Sequence, residues 1–111
     1  MDDFLTLAQI PMLVLREQVT PDHILKTWPA EFEEVLKGQK TFEYRKNDRG
    51  FRKWDSLLLM EWDASRPNSR ALSGRWCWVE VTSILHGPTH GVPESYCVMS
   101  IQKIRHGSVK T

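Results

Sequence analysis

Residues 57–60 read Leu-Leu-Leu-Met, and they restrict the possible folds more than any other stretch. A β-strand points successive side chains to opposite faces, so a strand wetted on one side carries a polar residue at every second position. The run from Ser56 to Trp62 lacks that alternation and reads as a strand covered on both faces. A chain of 111 residues supplies one domain in which to do this. Five Trp and four Phe give the core its bulk, each removing roughly 150–250 Å² from water when buried.

The other elements follow from period and punctuation. His23–Lys26 is short and partly alternating, a first strand. Pro29–Lys37 is a helix: proline suits the first turn, and Trp28, Phe32, Val35 and Leu36 recur at helical spacing as the core-facing stripe. Gly38 supplies a left-handed stop. Thr41–Arg45 alternates as a strand, with Phe42 and Tyr44 on one side and Glu43 and Arg45 on the other. Strict alternation puts Lys40 with Phe42 and Tyr44, toward the core, but its place at the helix–strand junction breaks that alternation. Asn47–Gly50 is a turn by composition, and residues 64–74 form an exposed loop. Arg75–Leu85 is a long strand with Cys77, Val79 and Val81 on one face and Trp76 and Trp78 on the other. After a Gly/Pro loop, Tyr96–Ile104 is the closing strand. The expected fold is α+β: a small barrel of about five mostly antiparallel strands, with one main helix after the first strand. Residues 1–20 form an N-terminal extension with no assigned role, 21–104 the domain, and 105–111 a frayed tail.

Charge excludes little in total, at +1, but it is polarised. Lys37 to Lys53 holds seven basic residues against Glu43 and Asp48, a plausible footprint for an anion or a phosphate. Cys77 and Cys97 are too few for a cysteine zinc site. They pair only if their strands are neighbours, and reduced, buried thiols are expected. His86 and His90 flank a Gly-Pro and lack further ligands nearby, so neither a metal nor a cofactor is expected. An opening Met-Asp-Asp without a basic n-region argues against secretion, no apolar run approaches a membrane span, and a cytoplasmic location is expected.

Gly38-x-Lys40-x-x-Glu43-x-Arg45 matches the GxKxxExR signature of the ASCH domains. From about His23 to Ile104 the chain resembles a bacterial and phage subgroup of those ASCH-like domains. Further shared phrases are Pro29-x-x-Phe32, Leu57-x-Leu59-x-Glu61-x-Asp63 and Tyr96-x-Val98-Met99. One departure stands out: Trp54-Asp55 replaces the Gly-Asp usual before the third strand. The resemblance implies a PUA-like barrel whose cleft, between helix and sheet, accepts RNA or a modified nucleotide. It assigns binding to Lys40, Glu43, Arg45 and Arg49, with Lys26 and Tyr96 as further contributors. The same resemblance admits a small amidohydrolase or ribonuclease using Lys40 and Glu43 as acid and base. The hydroxyl nucleophile of the amidohydrolase branch does not carry over, because its position holds Glu43. A host protein is a third class of partner, favoured if the Trp residues lie uncovered.

Overall fold

The computed structural model describes residues 20–109. The expected N-terminal extension, save residue 20, and the last two residues lie outside them. The elements are β1 (His23–Thr27), α1 (Pro29–Leu36), β2 (Phe42–Lys46), β3 (Ser56–Trp62), a 3-10 turn (Asn68–Arg70), β4 (Leu72–His86) and β5 (Tyr96–Ser108). They build one five-stranded sheet in the order β1-β3-β4-β5-β2. β1 runs parallel to β3, and the other three pairings are antiparallel.

β3 is second in the sheet and is buried from Leu57 to Trp62, as its unbroken apolar run requires. Its alternate residues feed two clusters. Leu57 and Leu59 join Leu25, Cys77, Val79, Val81 and Met99 beneath Phe32 and Val35 of α1. Leu58 and Met60 pack with Trp76 and Trp78 on the opposite face. Gly107 lies against the Trp76 indole so closely that an added Cβ would come within 2.8 Å of it.

Two strands outrun their expected limits. β4 begins at Leu72, with Ala71 buried before it, so the last residues of the expected 64–74 loop belong to the sheet. β5 continues past the expected fraying point at Arg105, because Arg105–Ser108 pairs with Arg75–Trp78. Pairing across the sheet orders a stretch whose own sequence carries little strand signal. The strands of Cys77 and Cys97 are neighbours, but Cys77 stands opposite His106 and Cys97 opposite His86. Both thiols are free and buried, and burial pushes that of Cys77 up to about 11.

The helix is fixed at its C-terminal end and along its middle. Gly38 adopts φ +73°, and the chain wraps so that Gln39 N–H and Lys40 N–H both donate to the Glu34 carbonyl, at 2.9 and 3.0 Å. Lys103 Nζ donates to Leu36 O at 2.7 Å. Arg75 grips Glu61 through two hydrogen bonds of 2.9 and 2.7 Å and reaches Glu33 on the helix at 2.6 Å. Those bonds hold the Glu61 carboxyl below its usual range despite its burial, and they raise the Arg75 guanidinium.

Trp54 occupies the left-handed region at φ 76° while its side chain is 61% exposed. Its N–H donates to Val81 O, and Asp55 accepts from the Arg52 N–H. The turn therefore keeps the backbone that glycine would take freely, with a bulky residue in its place. Trp54→Gly relieves the roughly 1–2 kcal/mol cost of that conformation and loses part of it to unfolded-chain entropy. A net gain of about 1 kcal/mol in urea unfolding is expected, and a loss would show that the ring contributes more than its exposure implies.

Candidate functional site

The two edges of the sheet, β1 and β2, lie beside one another because the sheet curls. Side chains close the gap. Arg45 Nη2 on β2 donates to Lys26 O on β1 at 3.0 Å, and Arg49 Nη1 donates to Ile24 O at 2.7 Å. The two carbonyls belong to alternate residues of a strand and so point the same way, along the edge that β3 does not use.

Glu43 is the centre of this seam. It is 1% exposed, and it stands opposite Met99 on the inner face of the sheet. Lys40 Nζ lies 2.7 Å from its Oε2. Arg45 donates to its Oε1 from Nε at 3.1 Å and from Nη2 at 2.8 Å. Lys40 and Arg45 are themselves only 14% and 15% exposed at the side chain. A carboxylate taken from water is retained here because both of its oxygens are matched by cations.

The alternation of β2 runs opposite to the sequence expectation. Phe42 and Tyr44 are 48% and 49% exposed, whereas Glu43 is interior. The glycine turn brings Lys40 to the cleft, where it and Arg45 satisfy the buried Glu43 carboxylate, and the rings take the outer side. Trp28 also departs from its expected place in the core stripe. It precedes the helix, and it is 51% exposed.

A cleft of about 790 Å³ opens along this seam. Lys26, Lys40, Glu43, Arg45 and Tyr96 all line it, but Arg49 does not. Arg49 is spent on the Ile24 carbonyl and lies 3.9 Å from Asp48. The Lys26 ammonium sits 4.1 Å from the centre of the Trp62 ring. Trp28, Phe42, Tyr44 and Tyr96 also line the cleft, the last two with ring centres 5.2 Å apart. Four basic side chains in the lining (Lys26, Lys40, Arg45, Lys46) are matched by four carboxylates (Glu31, Glu34, Glu43, Asp48). The basic excess of the 37–53 stretch therefore does not translate into a basic cleft, because α1, just before that stretch, adds Glu31 and Glu34 to the lining.

The chain matches the family described as "Domain of unknown function (DUF3850)" over residues 22–101. It belongs to the DUF3850 family. A curated relative, the "Uncharacterized 12.9 kDa protein in GpA 3'region" of Escherichia phage P2, is 32% identical over 71 residues. That match covers 58% of this chain and 65% of the phage protein, so the chain spans just under two thirds of the relative's length.

The DUF3850 region runs from before β1 into β5 and so contains every residue that lines the cleft. His23 lies apart from the lining. Its ring bonds Asp55 at 2.8 Å and meets Phe51 edge-on. Trp28, Glu31 and Glu34 are lining residues that the sequence reading did not single out as site residues. Trp28 alone offered a signal, since a residue directly before Pro29 starts the helix and does not extend its buried stripe. Among the described residues no group of His, Cys, Asp and Glu is placed to hold a metal ion, and no helix is long and apolar enough to cross a membrane.

Proposed function

We propose that the seam cleft binds RNA or a modified nucleotide by stacking an unpaired base among Trp28, Phe42, Tyr44 and Tyr96, in a PUA-like, ASCH-like domain. The observation that carries this reading is the exposure of Trp28, Phe42 and Tyr44. Three large rings are about half uncovered around one cleft, in a domain that buries Trp62, Trp76 and Trp78. A base sandwiched by such rings gains roughly 1–3 kcal/mol per stacked ring. The balanced lining charge limits the phosphate contribution. One or two contacts, from Lys40 and Lys46, give a slope of log K against log salt of about −0.7 to −1.4.

Lys40 and Glu43 serve this site differently from the acid–base pair implied by the hydrolase alternative. Glu43 is enclosed and holds Lys40 and Arg45 in place, which leaves Lys40 as the charged group nearer the opening.

Isothermal titration with nucleoside monophosphates and short single-stranded RNAs tests the proposal. Trp28→Ala and Tyr44→Ala should each weaken binding by about 1–3 kcal/mol while leaving the melting temperature nearly unchanged. Absence of binding at millimolar ligand, or affinity indifferent to both substitutions, would sink it. Mass spectrometry of the same mixtures separates binder from enzyme: product formed by the native chain and lost in Lys40→Ala would place the hydrolase first.

A further inference from the structure

All five consecutive residues of β2 line the cleft. A cleft lying on one face of a strand meets alternate residues, so this one runs along the strand's edge. The main chain at that edge is defined by the ladder. Ile101 N–H donates to Thr41 O at 3.0 Å, and Asn47 N–H donates to Ser95 O at 2.7 Å, in the same register that pairs Phe42 with Ser100 and Lys46 with Tyr96. Hydrogen-bonded and non-hydrogen-bonded pairs alternate along an antiparallel ladder. Residues 41, 43, 45 and 47 therefore direct their N–H and C=O groups to β5, while Phe42, Tyr44 and Lys46 direct theirs away from it. Among the described residues no strand pairs with β2 on that side.

The two edges at the seam differ in consequence. Arg45 and Arg49 occupy the β1 carbonyls. The β2 edge keeps three donor–acceptor sets facing the cleft, beside the half-exposed rings of Phe42 and Tyr44. We infer that the main chain of β2, centred on Tyr44, reads the hydrogen-bonding edge of an unpaired nucleobase in the cleft. In an extended residue the N–H and C=O lie side by side and point the same way. They match the adjacent acceptor and donor of a base edge, such as O4 and N3–H of uracil: the peptide N–H donates to O4, and the peptide carbonyl accepts from N3–H. This inference rests on the nucleotide reading above and specifies how the base is held.

A nucleobase suits this edge better than an added peptide strand. A strand needs a clear corridor of about 4.8 Å along its whole length. The seam is crossed at two places by the side chains of Arg45 and Arg49 on their way to β1. Those crossings interrupt an extended chain, but they leave room for a flat ring.

Amide hydrogen exchange by NMR on the full chain, free and with uridine 5'-monophosphate or a short oligouridine, tests the inference. In the free protein the amides of Phe42, Tyr44 and Lys46 should exchange at least a hundredfold faster than those of Glu43 and Arg45. Saturating oligouridine should slow Tyr44 at least tenfold. N3-methyluridine 5'-monophosphate, which lacks the N3 donor, should bind at least tenfold more weakly than the unmethylated nucleotide. Three outcomes overturn the inference in different ways. If ring signals of Trp28 and Tyr44 shift with the nucleotide while the edge amides stay unchanged and the methylated base binds equally well, main-chain reading is wrong and the stacking cleft survives. If the three amides are already protected in the free chain, or respond only to an alternating Thr/Val octapeptide, the edge is covered or built for strand addition. If no signal responds to any nucleotide, the nucleotide reading itself falls and this one with it.

Discussion

Glu43→Gln should lower the unfolding free energy by about 3–5 kcal/mol, a large part of what a domain of this size possesses. Glutamine keeps the shape of the side chain and removes its charge. Lys40 and Arg45 would then face a neutral amide in a site that hides roughly six-sevenths of each side chain. Solvent can recover little of that loss, since the carboxylate position is 1% exposed. Lys40→Met makes the informative comparison. It leaves Glu43 bound to Arg45 through Nε and Nη2, so its cost should be smaller, about 1–2 kcal/mol. Urea unfolding of both variants at neutral pH measures the difference. A Glu43→Gln midpoint equal to that of the native chain would mean that the motif is hydrated and serves the ligand alone.

Arg45→Lys carries the second large effect, although it conserves charge. The guanidinium makes three kinds of contact at once: it donates twice to Glu43 Oε1, once to Lys26 O at 3.0 Å and, at 3.5 Å, to Thr27 Oγ1. A lysine ammonium is a single point of donation on a flexible stem and cannot bridge the carboxylate and the β1 edge together. The expected loss is about 2–3 kcal/mol, within the range for one or two lost charge-assisted hydrogen bonds. The loss should be local as well as global. The seam holds β1 to β2 through Arg45 and Arg49 alone among the bonds between those two edges described above, so amides of β1 and β2 should exchange faster while the β4–β5 ladder keeps its protection. Uniform loss of protection would show that the seam opens only with the whole sheet, and unchanged protection would show that the sheet does not depend on this closure.

Both predictions bear on how the signature should be understood. Gly38, Lys40, Glu43 and Arg45 are close in sequence, and they drew attention as possible ligand contacts. The structure spends most of their hydrogen-bonding capacity on the protein itself. What they present to the cleft is a wall held by its own ion pairs, and most of the groups left open are aromatic rings and the main chain of one strand.

Elements whose cause is local or periodic were legible along the chain. The apolar run of β3 required cover on both faces, Pro29 and Gly38 bounded the helix within a residue, and the alternation of Cys77, Val79 and Val81 against Trp76 and Trp78 sorted β4 between its two clusters. The sequence also brought Lys40, Glu43 and Arg45 into view as one constellation. Which face of β2 turned inward was settled by contacts made in three dimensions. Period-2 alternation says that Phe42 and Glu43 differ in direction but cannot say which is inside. That choice depended on Lys40 and Arg45 meeting one carboxylate, and on β1 arriving from twenty residues earlier to receive the guanidinium. The same holds for the neutral lining of the cleft, where Glu31 and Glu34 oppose the basic stretch only because α1 folds over it. A strand from twenty residues earlier set the first outcome and the placement of α1 the second, and no local pattern records either.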